Sequence, residues 1–241
     1  MQFQFDPEHG NVLLVNKPLE WTSFDVVNKL RYALLKNLHR WYSDPPGFKR
    51  KIKVGHAGTL DPLATGLLII CTGKQTKQIE QYMATDKTYT GVITVGHTTP
   101  SYDLETVPDC YYPTEHITPE LIAQTAKSFI GIQEQIPPVF SAIKQDGKRL
   151  YTSARNGEEV VIKSREIEIL DFKITQIDMP HIHFEVSCSK GTYIRSLAYD
   201  FGKRLNSGAH LSALCRTRSG EFSLNKAWEL NSLIEAIQQL P

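Results

Sequence analysis

The chain of 241 residues is long enough for one elaborated domain with a substantial core, and a single domain over 1–241 is the organisation expected. A net charge of +1 argues against a uniformly basic nucleic-acid binder, yet residues 29–53 hold eight Lys or Arg against one acid, Asp44, the concentration that a phosphate-facing surface requires. No apolar run approaches the roughly 20 residues of a membrane span, and the polar start Met1-Gln2-Phe3-Gln4 is not a signal peptide, so a cytoplasmic protein is expected.

In chain order, Val12-Leu13-Leu14-Val15 reads as a short buried strand. Thr22 or Ser23 then caps a helix whose apolar positions Val27, Leu30, Leu34 and Leu38 recur at helical spacing, with Lys29, Arg31, Lys36 and Arg40 on its other face. Asp44-Pro45-Pro46-Gly47 breaks the helix, and Lys49-Arg50-Lys51 leads into Lys53-Val54-Gly55-His56-Ala57-Gly58-Thr59-Leu60-Asp61-Pro62-Leu63-Ala64-Thr65-Gly66. This loop sets one carboxylate, Asp61, among small residues, between the basic run and the apolar run at 67–70. Its glycines admit positive φ and close approach of a ligand, and Pro62 fixes the chain just after the acid. A catalytic acid is expected in such a place, although an isolated Asp in a glycine-rich loop more often only caps a turn.

Downstream, 74–84 reads as a helix and 88–96 alternates as a strand with Tyr89 near its start. Thr118-Pro119 opens a helix closing near Gly131. The stretch from Ile136 to Tyr151 looks like a long excursion from the core. Strands are predicted at 167–177 and 182–189, a strand-to-helix turn at Lys190-Gly191-Thr192-Tyr193-Ile194-Arg195, a helix to about Leu205, then further strand from His210 and a last helix at 226–239. Long strands separated by unequal excursions do not fit regular βαβ alternation, so the fold class is α+β, with a mixed, mostly antiparallel sheet and flanking helices. The four cysteines show neither disulfide-scaffold spacing nor a Cys-x-x-Cys pair and read as reduced. His181-x-His183 puts two imidazoles on one strand face without a third ligand at a recognisable spacing, so no metal is expected. Gly73-Lys74-Gln75 lacks the Ser or Thr and the spacing of a phosphate-binding P-loop.

The loop around Asp61 closely resembles the signature of the TruB family of tRNA pseudouridine-55 synthases, and the resemblance covers nearly the whole chain. Lys17-Pro18 corresponds to the family's Lys-Pro motif, Tyr89 follows Lys87-Thr88 as the family's active-site tyrosine does, and Tyr193 and Arg195 fall in its Gly-Thr-Tyr-Ile-Arg motif. The late stretch Gly208-Ala209-His210-Leu211 to Leu214 matches as well. The excursion around 131–160, with Lys144 and Arg149, resembles the family's RNA-gripping thumb. The resemblance implies the pseudouridine synthase catalytic fold with a central active-site cleft, action on uridine 55 of the tRNA T-loop, and no cofactor. It further implies Asp61, Tyr89 and Arg195 as catalytic residues and Lys17, His56, Tyr193, Leu214, Lys144 and Arg149 as substrate-binding ones. The expected partner is the T-arm of tRNA, met by a monomer without an obligate protein partner.

The chemistry fits those residue types. A carboxylate can act as nucleophile or stabilise an oxocarbenium-like sugar while a glycosidic bond breaks and re-forms. A guanidinium such as that of Arg195 can hold Asp61 ionised and aimed through a bidentate pair, and Tyr89 offers a flat ring to an extruded uracil. His56 is expected to stack in the distorted RNA rather than to move protons. The chain departs from the family at Glu20, where Gly is usual after Lys-Pro-x, and at Asn16, where Asp is frequent. It ends soon after the catalytic-domain tail, so a short form without a C-terminal PUA domain is expected, with the basic, aromatic stretch 36–53 taking over phosphate contacts. A non-catalytic RNA-binding or tRNA-folding module, or a synthase for another RNA, is the alternative.

Overall fold

The structure is a computed structural model that describes residues 4–6, 8–41, 51–140, 144, 145, 148, 149 and 162–240, the side chains of 39–41, 144, 145, 148 and 149 excepted. Half of the basic stretch 36–53 and most of the thumb-like excursion therefore lie outside the described residues. The chain divides into two compact units, Met1–Lys87 with Cys215–Pro241, and Thr88–Leu214.

The first unit opens with β1 (Val12–Lys17) and α1 (Ser23–Trp41). Thr22 and Asp25 close a reciprocal cap on α1: the Asp25 N–H donates to Thr22 Oγ1 at 3.0 Å, and the Thr22 N–H and hydroxyl donate to Asp25 Oδ2 at 2.9 and 2.5 Å. The helix then buries Val26, Val27, Leu30, Leu34 and Leu38, the stripe that its spacing predicts. β2 (Val54–Ala57) and β3 (Ala64–Thr72) follow, both β1 and β2 running antiparallel to β3, with Lys17 opposite Gly66 and His56 opposite Ile70. Residues 67–71 of β3 are fully buried, which explains an apolar run without alternation: both faces of this strand are covered. The helix expected at 74–84 is instead a 3-10 turn, Gly73–Gln78, and a short α2 (Ile79–Met83). The Thr76 hydroxyl donates to the Gly73 carbonyl at 2.8 Å, and the 3-10 segment buries no side chain that could reward regular α-helical packing.

The second unit takes up β4 (Lys87–Val95), β5 (His97–Thr98), β6 (Cys110–Tyr111) and α3 (Pro119–Ser128), whose Thr118 cap accepts from the Leu121 N–H at 3.3 Å. Then come β7 (Gly131–Gln135), the hairpin β8 (Lys144–Gln145) and β9 (Lys148–Arg149), β10 (Arg165–Asp178), β11 (His181–Cys188), α4 (Ile194–Arg204) and β12 (Ala209–Ser219). Strand order here is β12-β4-β11-β10-β7. The core gathers Phe129, Phe172, Phe184 and Phe201, with centroids 5.7–6.1 Å apart in tilted, stacked and edge-on pairs.

The tail, β13 (Phe222–Ser223), β14 (Trp228–Glu229) and α5 (Leu230–Gln238), completes the first unit, in which the order is β14-β1-β3-β12. The last helix starts at Leu230 rather than at 226 because Trp228 and Glu229 pair in parallel with Val15 and Asn16. Leu230, Leu233, Ile234 and Ile237 of α5 pack into one core with Val26, Val27, Leu30 and Leu34 of α1 and Leu68 and Ile70 of β3. The fold is thus α+β, its sheet mixed and mostly antiparallel. Among the described residues, no helix is long and apolar enough to cross a membrane.

Candidate active site

The residues singled out by sequence fall into two sets, one in each unit. In the first unit, Asp61 sits half-buried on the loop between β2 and β3. The loop is bounded by Gly58 and Gly66, both at positive φ, +86° and +98°. A side chain at Gly66 would lie 2.4 Å from the Arg216 carbonyl oxygen and 2.7 Å from its nitrogen, so only glycine lets β12 approach here.

Three buried polar groups hold the loop backbone. Ser23 Oγ donates to the Leu60 carbonyl at 3.1 Å and accepts from the Leu60 N–H at 2.9 Å. Arg216 Nε donates to the Leu67 carbonyl at 2.7 Å and its Nη2 to that of Gly58 at 3.0 Å. Lys17 Nζ donates to the carbonyls of Pro18, Trp21 and Pro62 at 2.8, 2.5 and 3.2 Å. The Glu20 N–H adds a bond to the same Pro62 oxygen at 2.9 Å. Glu20 itself takes φ +66°, so the position where the resemblance leads one to expect Gly is met by a non-glycine residue in the left-handed region. Asp61 is therefore gripped on both sides, at Leu60 and at Pro62.

Lys17, expected among the substrate-binding residues, is wholly buried, and its ammonium donates to carbonyls. Burial draws its pKa down to about 8, against the raising charges of Asp61 and Asp25. Three carbonyls need three donors, and only the ammonium form supplies them. Between about 8 and the ordinary 10.5 the unfolded chain binds the proton that the native one lacks. Lys17 thus makes stability rise with pH in that window, while its grip on Pro62 weakens. The expected pH–rate profile falls above about pH 8 in the wild type, and Lys17→Met, slow throughout, lacks that limb.

His56 lies on β2 with its buried Nδ1 unpartnered by any hydrogen bond among the described residues. Burial, then the charge of Arg216, lowers its pKa and favours the neutral ring. A neutral, flat ring suits stacking better than acid–base exchange. His56→Phe should keep turnover within a few-fold of wild type while His56→Ala loses roughly tenfold or more; kinetics showing the reverse order would rule stacking out.

In the second unit, Arg195 stands in the first turn of α4, buried, with Nη1 donating to the Ser101 carbonyl at 3.2 Å and Nη2 to that of Phe140 at 2.9 Å. Its Nε lies 3.7 Å from Oδ2 of the equally buried Asp103. Tyr193 is the N-cap of α4; its N–H and carbonyl are both held by the buried amide of Gln135, at 2.8 and 3.0 Å, and its ring lies under the Arg165 guanidinium at 5.0 Å. Tyr193 thereby fixes where the helix carrying Arg195 begins. Tyr89 is buried near the start of β4, two residues before Gly91, where a side chain would meet the Ala213 carbonyl at 2.5 Å and the Phe184 ring at 2.7 Å. Leu214 is half-buried on β12. Lys144 and Arg149 are opposed across the β8–β9 hairpin, but their side chains lie outside the described residues.

Arg216, Asp103 and Gln135 escaped the sequence reading. Arg216 could have been found, since it lies two residues beyond Leu214 and so on the same face of a strand. Asp103 and Gln135 fall in no motif of the sequence. His181, half of the weighed metal pair, has its Nδ1 3.0 Å from Thr94 Oγ1, and the described residues gather no set of three metal-ligating side chains.

Comparison with known proteins adds a family. A model described as TruB family pseudouridylate synthase (N terminal domain) matches residues 47–194, and one described as tRNA pseudouridylate synthase B C-terminal domain matches 195–240. A protein of Flavobacterium johnsoniae named tRNA pseudouridine synthase B is 54% identical over 229 residues, 95% of this chain and 96% of that one. Its namesake in Parabacteroides distasonis is 51% identical over 230 residues, 95% and 94% of the two chains. Among solved structures, a chain in a Cbf5-Nop10-Gar1 complex superposes with a TM-score of 0.68 at 26% identity, over 95% of this chain and 54% of that one, so the present chain spans about half of its length.

Proposed function

Because the chain belongs to the TruB family of pseudouridylate synthases, we propose that it is a tRNA pseudouridine synthase that isomerises uridine 55 of the T-loop, with Asp61 as the catalytic carboxylate. The observation that carries this reading is the coincidence of end-to-end similarity to proteins of that activity with an Asp61 loop whose backbone is held at Gly58, Leu60 and Pro62. Such anchoring is what a group that must meet a sugar carbon at a fixed distance requires.

The reaction breaks the bond from ribose C1′ to uracil N1, turns the ring, and joins C1′ to C5; the C5 proton leaves and N1 gains one, with no net oxidation. The chain's own groups cover these needs without a cofactor. Asp61 engages the sugar or base as the bond breaks, Arg195 supplies a guanidinium suited to a carboxylate, and Tyr89 offers a flat ring to the turned-out uracil and a phenol to move a proton. Leu214 walls the base pocket, His56 fills the gap left in the RNA loop, Tyr193 sets the start of the helix bearing Arg195, and Lys17 secures the Asp61 loop. Lys144 and Arg149, on the thumb-like excursion, grip the T-arm backbone. The enzyme works as a cytoplasmic monomer without an obligate protein partner.

The test is pseudouridine mapping after incubation with unmodified tRNA and with a minimal T-arm hairpin, alongside light scattering for oligomeric state. Conversion confined to uridine 55 supports the proposal. Tight binding of both RNAs without conversion of either would replace it with a tRNA-folding module, and conversion elsewhere with a synthase of another specificity.

A further inference from the structure

The outward face of α1 has no part in the site described so far. With about 100° per residue, Phe24, Asn28, Tyr32, Lys36 and Lys29 project from one side of the helix, opposite the core stripe of Val26, Val27, Leu30 and Leu34, and all five are exposed. Phe24 leaves 59% of its surface in water and Tyr32 70%, and Leu19, just before the helix, leaves 54%. Single exposed apolar residues are ordinary. Two aromatics at i and i+8 on a face shared with two lysines form a pattern: bases stack on the rings and phosphates meet the cations. Among the described residues of α1, the acid on this face is Asp25, whose carboxylate accepts from Thr22 in the cap, and Arg31, at the margin, donates to Asn28 and the Val54 carbonyl.

The face also has a fixed place. Ser23 is bonded to both backbone groups of Leu60, and Glu20 to the Pro62 carbonyl, so Leu19 and Phe24 adjoin the Asp61 loop in the same unit. Lys36 lies about 18 Å further along the helix axis. An RNA whose target base has been turned out towards Asp61 exposes the faces of that base's neighbours.

We propose that the outward face of α1 is an RNA-binding track leading away from the catalytic loop, with Phe24 stacking on a nucleobase beside the turned-out uridine, Tyr32 on a further base or sugar, and Lys29 and Lys36 on phosphates. The occupant is the substrate RNA itself, so the proposal rests on the activity inferred above.

Fluorescence anisotropy with a labelled, unmodified T-arm hairpin and with full tRNA, over a series of salt concentrations, tests it. Lys29→Gln/Lys36→Gln should flatten the salt dependence of affinity for full tRNA by a slope of about 1–2. Phe24→Ala and Tyr32→Ala should each weaken binding by roughly tenfold with the slope kept, and Phe24→Trp should restore it. In kinetics these losses fall on KM rather than kcat. Making the RNA abasic at each neighbour of the target in turn should cancel the effect of Phe24→Ala at one position. Such exposed substitutions leave the fold in place, which a melting curve verifies. Wild-type affinities and slopes in all variants would overturn the track and leave this face to a protein partner. Failure of the wild type to convert any uridine would instead overturn the assigned activity, with the binding series still deciding the fate of the track.

Discussion

Arg216→Met should destabilise the protein by about 2–6 kcal/mol and slow conversion by roughly 10²-fold or more even where the variant is fully folded. The guanidinium is buried and donates to the carbonyls of Gly58 and Leu67, one on either side of Asp61. Methionine keeps the length and apolar contacts of the side chain but leaves both carbonyls without these donors, and each unsatisfied buried carbonyl costs about 1–3 kcal/mol. Arg216→Lys should recover only part of the loss, because one ammonium on a flexible stem cannot reproduce the fork that spans two carbonyls. Urea unfolding with an unchanged m-value reads the first effect, and single-turnover rates well below the melting transition read the second. Wild-type stability and rate in Arg216→Met would show that the Ser23 and Lys17 anchors suffice.

What could be read from sequence, and what could not, divides along the distance over which each feature is decided. α1 was legible because its determinants are local: Thr22 and Asp25 three residues apart for the cap, then apolar residues at helical spacing. The 74–84 segment was misread because its polar residues are compatible with a helix, whereas the Thr76 bond to Gly73 and the lack of anything to bury favour a 3-10 turn. The start of the last helix was misplaced because Trp228 and Glu229 pair with β1, which lies at the opposite end of the chain.

The site follows the same division. Asp61, His56 and Lys17 stand out through motif and setting. Lys17 nevertheless turned out to be wholly buried, its ammonium matched to three carbonyls, one of them that of Pro62, remote in sequence. Arg216, Asp103 and Gln135 look like ordinary polar residues until the fold brings Gly58, Arg195 and Tyr193 to them. Glu20 shows that a departure from a family pattern need not change the turn's demand: the residue accepts the left-handed backbone that glycine would take without strain.

The most direct test of the account is Asp61→Asn. Asparagine preserves the shape of the side chain and leaves in place the bonds that Ser23, Arg216 and Lys17 make to the loop backbone, while the loss of a charge that raises the Lys17 pKa loosens the ammonium only towards alkaline pH. What it removes is the negative charge and the nucleophilic oxygen, so conversion should fall by about 10³-fold or more, while the affinity for unmodified tRNA and the melting temperature stay within a few-fold and a few degrees of wild type. Pseudouridine formed at position 55 by the wild type and absent with Asp61→Asn, at equal RNA occupancy, is the predicted result. Conversion by Asp61→Asn at a rate near that of the wild type would contradict it, and would move the chemistry away from the loop that this fold holds so firmly.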